Sequence, residues 1–285
     1  MQTHLLIPDT QVKPGVPLDH LYWLSQFIVE HKPDVIIHIG DHYDFPSLSL
    51  YDKNKKSFEG RRYKNDVEAG NTGLEIIEEA PKHYNQMQRI NKKAQYLPRK
   101  VWTMGNHEYR SDRIAEESPE LSGTVGTEEI QEYWEKKGWE VHPFREAVDI
   151  DGVWYCHFMP NPFTGNPWGG TIDNRLKQVG NSFTMGHQQA FMYGQRQVGR
   201  KIQHGLVAGS FYLHDESYKG PDGSSVVSGN NHWRGIVLKN EVADGQYCLD
   251  VWDMNRLCRK YSGADSIQEY LAETYPETKF TLAVA

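Results

Sequence analysis

Apolar positions along the first third of the chain alternate between two rhythms. Residues 4 to 8, HLLIP, form a short unbroken run that ends at a polar turn, as a buried strand does. Residues 18 to 31 then place Leu18, Leu21, Tyr22, Leu24, Phe27 and Ile28 at helical spacing. DVIIHIG (34–40) and KVWTMG (100–105) repeat the strand pattern, each closing on Gly beside a polar cluster. Strands alternating with helices imply right-handed crossovers and a parallel core sheet, with ligands beyond the strands' carboxyl ends.

Between the second and third strands, the segment 46–98 begins as loop and predicts a helix from Asp66 to Lys93, interrupted near Pro81. Beyond residue 138 the pattern shortens to WEVHPF, EAVDI, VWYCHFM, SFTMGH, WRGIVLKN and QYCLDVWDM, with Gly, Asn and Pro between them, so the second half is expected to be strand-rich. No low-complexity linker separates the halves. The expectation is α/β: one domain of two packed sheets covered by helices over 1–261, with a short helix and an apolar tail in 262–285.

Composition narrows the class. The 285 residues are 38% hydrophobic and 12% aromatic, too apolar for disorder. No apolar run reaches the roughly 18 residues of a spanning helix, and the N-terminus lacks a signal-peptide pattern, so neither membrane nor secretion is expected. Cys156, Cys248 and Cys258 are odd in number and lack CxxC spacing, which points to a reducing cytoplasm. With 31 basic against 38 acidic residues, the net charge of −7 argues against nucleic-acid binding through charge spread over the whole surface, though not against a local basic patch.

Five polar clusters follow strand-like runs: PDTQ at Asp9 to Gln11, GDHYD at Gly40 to Asp44, GNHE at Gly105 to Glu108, CHFMP around His157, and GHQQ at Gly186 to Gln189. A Gly ahead of Asp41, Asn106 and His187 would allow a tight turn off each strand. Carboxylate, amide oxygen and imidazole together are the donors of Mn²⁺, Fe or Zn²⁺, and a shared carboxylate can hold two ions ~3.5 to 4 Å apart. A dinuclear metal site is inferred.

From Asp9 to Gln189 the sequence resembles the calcineurin-like metallophosphoesterases, whose pattern is DxH, GDxxD, GNH followed by D or E, a lone His, and GHxH. The resemblance implies a four-layer sandwich of two mixed sheets flanked by helices. It also implies that Asp41 bridges the ions, that Asn106, His157 and His187 serve one ion and that Asp9 serves the other. Two family histidines of that other ion are replaced by Gln11 and Gln189, leaving a harder, weaker site suited to Mg²⁺ or Mn²⁺. Gln189 stands equally as ligand or turn residue, and a one-metal enzyme stays open. By the same resemblance, hydroxide shared by the ions attacks phosphorus, His107 protonates the leaving oxygen and Asp44 orients His107.

Other polar residues are assigned blander roles. His38 is expected in the core and His42 away from the site, while His204, His214 and His232 are placed at the surface. The run 53–64 holds six basic residues with Phe58 and Tyr63, and reads either as a solvated loop or as a phosphate and base contact. Arg110, Arg196, Arg200 and Lys201 are further phosphate candidates.

Phe45 and Met104 stand where protein phosphatases of the superfamily carry arginines. The similarity is instead to bacteriophage-type members, which implies the host cytoplasm and a phosphodiesterase or nuclease acting on nucleic acid or nucleotides, with Mn²⁺ favoured. A phosphomonoesterase and a noncatalytic metal-binding scaffold are the alternatives.

Overall fold

The computed structural model describes residues 1–50, 52–215, 218–219, 225–226, 231–278 and 280. In chain order the first elements are β1 (Gln2–Ile7), α1 (Asp19–His31), β2 (Val35–His38), α2 (Tyr63–Ile90), β3 (Arg99–Thr103), α3 (Tyr109–Glu117), α4 (Glu128–Lys136) and β4 (Glu140–His142). Next come β5 (Val148–Ile150), β6 (Val153–Tyr155), α5 (Ile172–Val179), β7 (Ser182–Met185), β8 (Phe191–Val198) and β9 (Lys201–Ala208). A small pair, β10 (Tyr218–Lys219) and β11 (Ser225–Val226), precedes β12 (Gly235–Ala243), β13 (Gln246–Asp253), α6 (Met254–Tyr261) and α7 (Ile267–Thr274).

Two mixed sheets face each other, with strand orders β13-β12-β1-β2-β3-β4 and β5-β6-β7-β9-β8. β1 to β4 are mutually parallel, and β12 closes antiparallel on β1. Successive side chains on a strand point to opposite faces, and the core follows that alternation. Leu5, Ile7, Ile36 and Trp102 pack with Leu24 and Phe27 of α1 and Leu74 and Ile77 of α2. Leu6, Val35, Ile37 and Val101 pack between the sheets against Ile150, Tyr155, Leu206 and Ala208. Phe183, Met185 and Val207 face outward onto Ile172 and Leu176 of α5. Burial on both faces explains why these strands read as unbroken apolar runs. The result is the expected four-layer arrangement of helices, sheet, sheet and helix.

Two local expectations are corrected. α2 runs unbroken from Tyr63 to Ile90 through Pro81. Proline has no N–H for the carbonyl four residues back. Here Ser25 of α1 substitutes: its hydroxyl donates to Ile77 O at 3.0 Å and accepts from Ala80 N at 2.9 Å. The long hairpin β8 and β9 and the helix α6 arise where no element was expected. No described helix is long and apolar enough to cross a membrane.

Candidate metal centre

All five clusters meet at one edge. β1, β2 and β3 run parallel, as do β6 and β7, so their carboxyl ends deliver Asp9, Asp41, Asn106, His157 and His187 together. The loops are stitched by backbone bonds: Gln11 N–H to Asp41 O at 2.9 Å, Val12 N–H to His42 O at 2.7 Å and Asp44 N–H to Val12 O at 3.0 Å. Glu108, wholly buried, ties the second and third loops by accepting from Gly105 N (2.7 Å), Asp41 N (3.0 Å) and Tyr43 N (2.8 Å). Sequence reading left Glu108 without a role, although the acid after GNH was its signal.

The glycines act mainly through proximity. Gly40 does adopt φ +96°, but Gly105 and Gly186 have ordinary φ. A Cβ on Gly105 would lie 2.1 Å from Asp41 Oδ1, and one on Gly186 would lie 2.3 Å from Asp9 Oδ1. Only Gly lets the carboxylates approach. The left-handed backbone falls instead on the candidate ligands Gln11, Asp41, His187 and Gln189, with φ between 41° and 65°. Non-glycine residues rarely take that conformation, and it clusters where geometry is functional.

One set of donors converges tightly. Asp41, His157 and His187 each offer a ligand atom within 4.8 Å of the others. Asn106 Oδ1 lies between the rings, 2.9 Å from His157 Nε2 and 2.7 Å from His187 Nδ1. His157 Nδ1 donates to Ile39 O at 2.9 Å, which turns Nε2 toward Asp41 Oδ2 at 3.4 Å. A ring fixed through its far nitrogen is the usual support of a histidine ligand.

Burial works against every charge here. It pushes Asp41 upward, but His107 and His157 outweigh it and hold that carboxyl well below its ordinary range. Burial likewise lowers His157, yet Asp41 and Asp9 raise it to about 9. His187, lowered to about 4 by burial and by His157, is a neutral donor. An ion would take the place of the proton on His157.

The other side is sparser. Asp9 is fully buried; Oδ1 accepts from His187 N at 3.3 Å, and Oδ2 has no hydrogen-bond partner among the described residues. Burial, with Asp41 nearby, raises this carboxyl to about 7. An orphaned buried carboxylate oxygen fits a cation. Gln11 is buried, its N–H bonded to Asp41 O. The Gln189 amide oxygen accepts from Tyr212 Oη at 2.8 Å, and that hydroxyl also lies 2.8 Å from His232 Nδ1. Tyr212 had no sequence signal.

At the rim, His107 Nδ1 lies 2.9 Å from Asp44 Oδ1, and its Nε2 lies 3.7 Å from Asp41 Oδ2. Lys13 Nζ reaches Asp44 Oδ2 at 3.0 Å. Arg110 donates to Asp44 O at 2.6 Å and to His107 Nε2 at 2.7 Å. Arg110 therefore faces the histidine and the aspartate loop. Although burial pushes Asp44 upward, Lys13, His107 and Arg110 keep it well below its ordinary range.

The remaining candidates lie elsewhere. β8 and β9 begin and end at the centre, where Ser210 bridges to Asp9, so the turn bearing Arg200 and Lys201 is roughly 20 Å away along the strands. Arg196, near that turn, pairs with Asp173 at 3.6 Å. In the basic run, Arg61 pairs with Asp52 at 2.7 Å, and Tyr63 stacks on Phe45 at 5.5 Å, committed to the core. Phe58 is half-buried, and the Arg61 guanidinium lies 5.7 Å from its ring centre. His38 is core, bonded to Thr10 at 3.0 Å, and His42 turns away to Gly70 O at 2.8 Å. His204 and His214 are buried and His232 is half-buried, which corrects their surface placement. His204 sits in the second sheet beside Tyr193 and Tyr247, whereas His214 stacks on Tyr212.

Fold and centre together define a metal-dependent phosphoester hydrolase. The calcineurin-like phosphoesterase family model matches residues 5–243, and the chain belongs to that family, whose members are typically dinuclear metal enzymes. The solved structure of YfcE, a phosphoesterase from E. coli, is similar at 10% identity and a TM-score of 0.36, over 88% of this chain and 99% of that one. Another solved structure matches at 9% identity and a TM-score of 0.32 over the same shares. No curated protein matches the chain.

Proposed function

We propose that the chain is a phosphodiesterase that cleaves nucleotide or nucleic-acid esters in the cytoplasm, with Mn²⁺ as its favoured ion. Asp41, Asn106, His157 and His187 would hold one ion. Asp9 and Asp41, with the amides of Gln11 and Gln189, would hold a weaker second. Bound ions lower the pKa of water and neutralise phosphoryl oxygens, the main barrier to attack on an anionic ester. The oxygen-rich donor set of the second position favours Mn²⁺ or Mg²⁺ over Zn²⁺.

His107 would act as the acid. Asp44 fixes its Nδ1, leaving Nε2 facing the centre. As the water oxygen bonds phosphorus and the ester P–O bond breaks, the leaving oxygen would take the proton of Nε2, and the proton that the water gives up would restore it. Arg110 now occupies Nε2, so donation requires it to turn aside, and the departing phosphate is the group it would meet. Diester over monoester is supported by Lys13 being paired with Asp44 at 3.0 Å. A diester monoanion needs less neutralisation than a monoester dianion.

The convergence of Asp41, Asn106, His157 and His187 beside the His107 and Asp44 pair carries this reading. Its test is turnover of bis-p-nitrophenyl phosphate against p-nitrophenyl phosphate, with Mn²⁺, Mg²⁺ and Zn²⁺ supplied separately. Faster diester cleavage, greatest with Mn²⁺, is expected. Faster monoester cleavage would replace the proposal with a phosphomonoesterase, and no turnover on either would remove it.

A further inference from the structure

The segment after His157 folds back as a hairpin, with Pro160 bridged to Pro167 and Trp168 N–H bonded to Met159 O at 3.0 Å. Gly165 N–H donates to Asn161 O at 2.8 Å, and the Asn161 side-chain oxygen accepts from Phe163 N at 2.8 Å. Such an Asx turn fixes the tip. On this ordered tip Phe163 is 92% exposed. A single exposed ring needs no explanation by itself, but here its surroundings continue into the metal centre. Arg145, also exposed and at φ +73°, touches the hairpin: a Cβ on Gly165 would lie 3.6 Å from its Nη1. Its guanidinium rests 4.9 Å from the Phe144 ring centre. Phe144 meets Phe158 edge-on at 5.3 Å, and Phe158 packs 5.0 Å from His187. A line of ring contacts thus runs from a candidate metal ligand through Phe158 and Phe144 to an exposed cation, and that cation lies against the hairpin whose tip carries Phe163.

We infer that this edge is a subsite for single-stranded nucleic acid, in which Phe163 stacks on a base and Arg145 holds an adjoining phosphate. The inference rests on the diesterase reading and names its substrate class. A flat apolar face beside a cation matches a base and its anionic linkage, and stacking accepts any base. For a chain of net charge −7, such local recognition takes the place of broad electrostatic attraction.

The test is fluorescence anisotropy of a 5′-labelled eight-residue thymidine oligonucleotide, with EDTA present and at 50 and 200 mM salt, for the parent chain, Phe163→Ala, Phe163→Trp and Arg145→Gln. Phe163→Ala should weaken binding about tenfold at both salts, with Phe163→Trp restoring it. Arg145→Gln should weaken binding and reduce the salt slope by about 0.7, the share of one phosphate on a single strand. Parent-like affinity in both weakening variants, or a parent that does not bind, overturns the subsite. Because binding is read without turnover, a parent that binds through this edge but cleaves no diester removes the diesterase reading alone.

Discussion

On one side of Asp41, Asn106, His157 and His187 bring an amide oxygen and two ring nitrogens from three loops, and each ring is already oriented by a hydrogen bond. On the other side Asp9 is the further carboxylate among the described residues, Gln11 and Gln189 offer only amides, and Tyr212 already holds the Gln189 oxygen. The loop construction is shared, with glycine admitting a carboxylate and left-handed backbone at the donor. What differs is donor chemistry. A common scaffold therefore fixes where two ions would sit without fixing how tightly each is held.

Breaking the shared element should have the largest effect. Asp41→Ala removes the carboxylate common to both sides and is expected to lower turnover by about 10³-fold or more, several kcal/mol of lost stabilisation, with metal content falling alongside in elemental analysis. His107→Ala should lower turnover by about 10² while metal content stays at the parent level, which separates the rim acid from the ligands.

The inter-sheet core offers a contrast in which polar groups are structural. Burial, partly offset by Asp151, lowers His4 from its ordinary 6.5 to about 4. The unfolded chain therefore binds a proton that the folded chain does not, and stability falls as pH drops from about 6.5 toward 4. Denaturant unfolding at pH 7 and pH 5 should show about 2 kcal/mol of this loss disappearing in His4→Gln. The smallest effect sharpens the comparison itself: Gln11→His with Gln189→His should tighten the weaker ion about tenfold in a metal titration and leave the stronger one as it was.

Much of this was legible in the chain. β1, β2 and β3 announce themselves because both faces are buried, and the candidate ligands do so because five polar clusters follow such strands in one order, each alone being readable as a turn or a cap. The hairpin β8 and β9 was not legible: one face is wet along β8, and FMYGQRQV mixes polar and apolar residues without clean alternation. Pro81 misled because its remedy, Ser25, lies 56 positions earlier in the chain on another helix. The direction of Arg110, the burial of His204 and His214, and the hold of Tyr212 on Gln189 are contacts between distant segments that no local pattern encodes.

The most direct measurement is a Mn²⁺ titration of the metal-free protein by calorimetry, with elemental analysis after dialysis. The account predicts one ion per chain retained through dialysis, a second bound more weakly, and neither retained by Asp41→Ala. Two equal tight ions in the parent chain, or no ion at all, would contradict it.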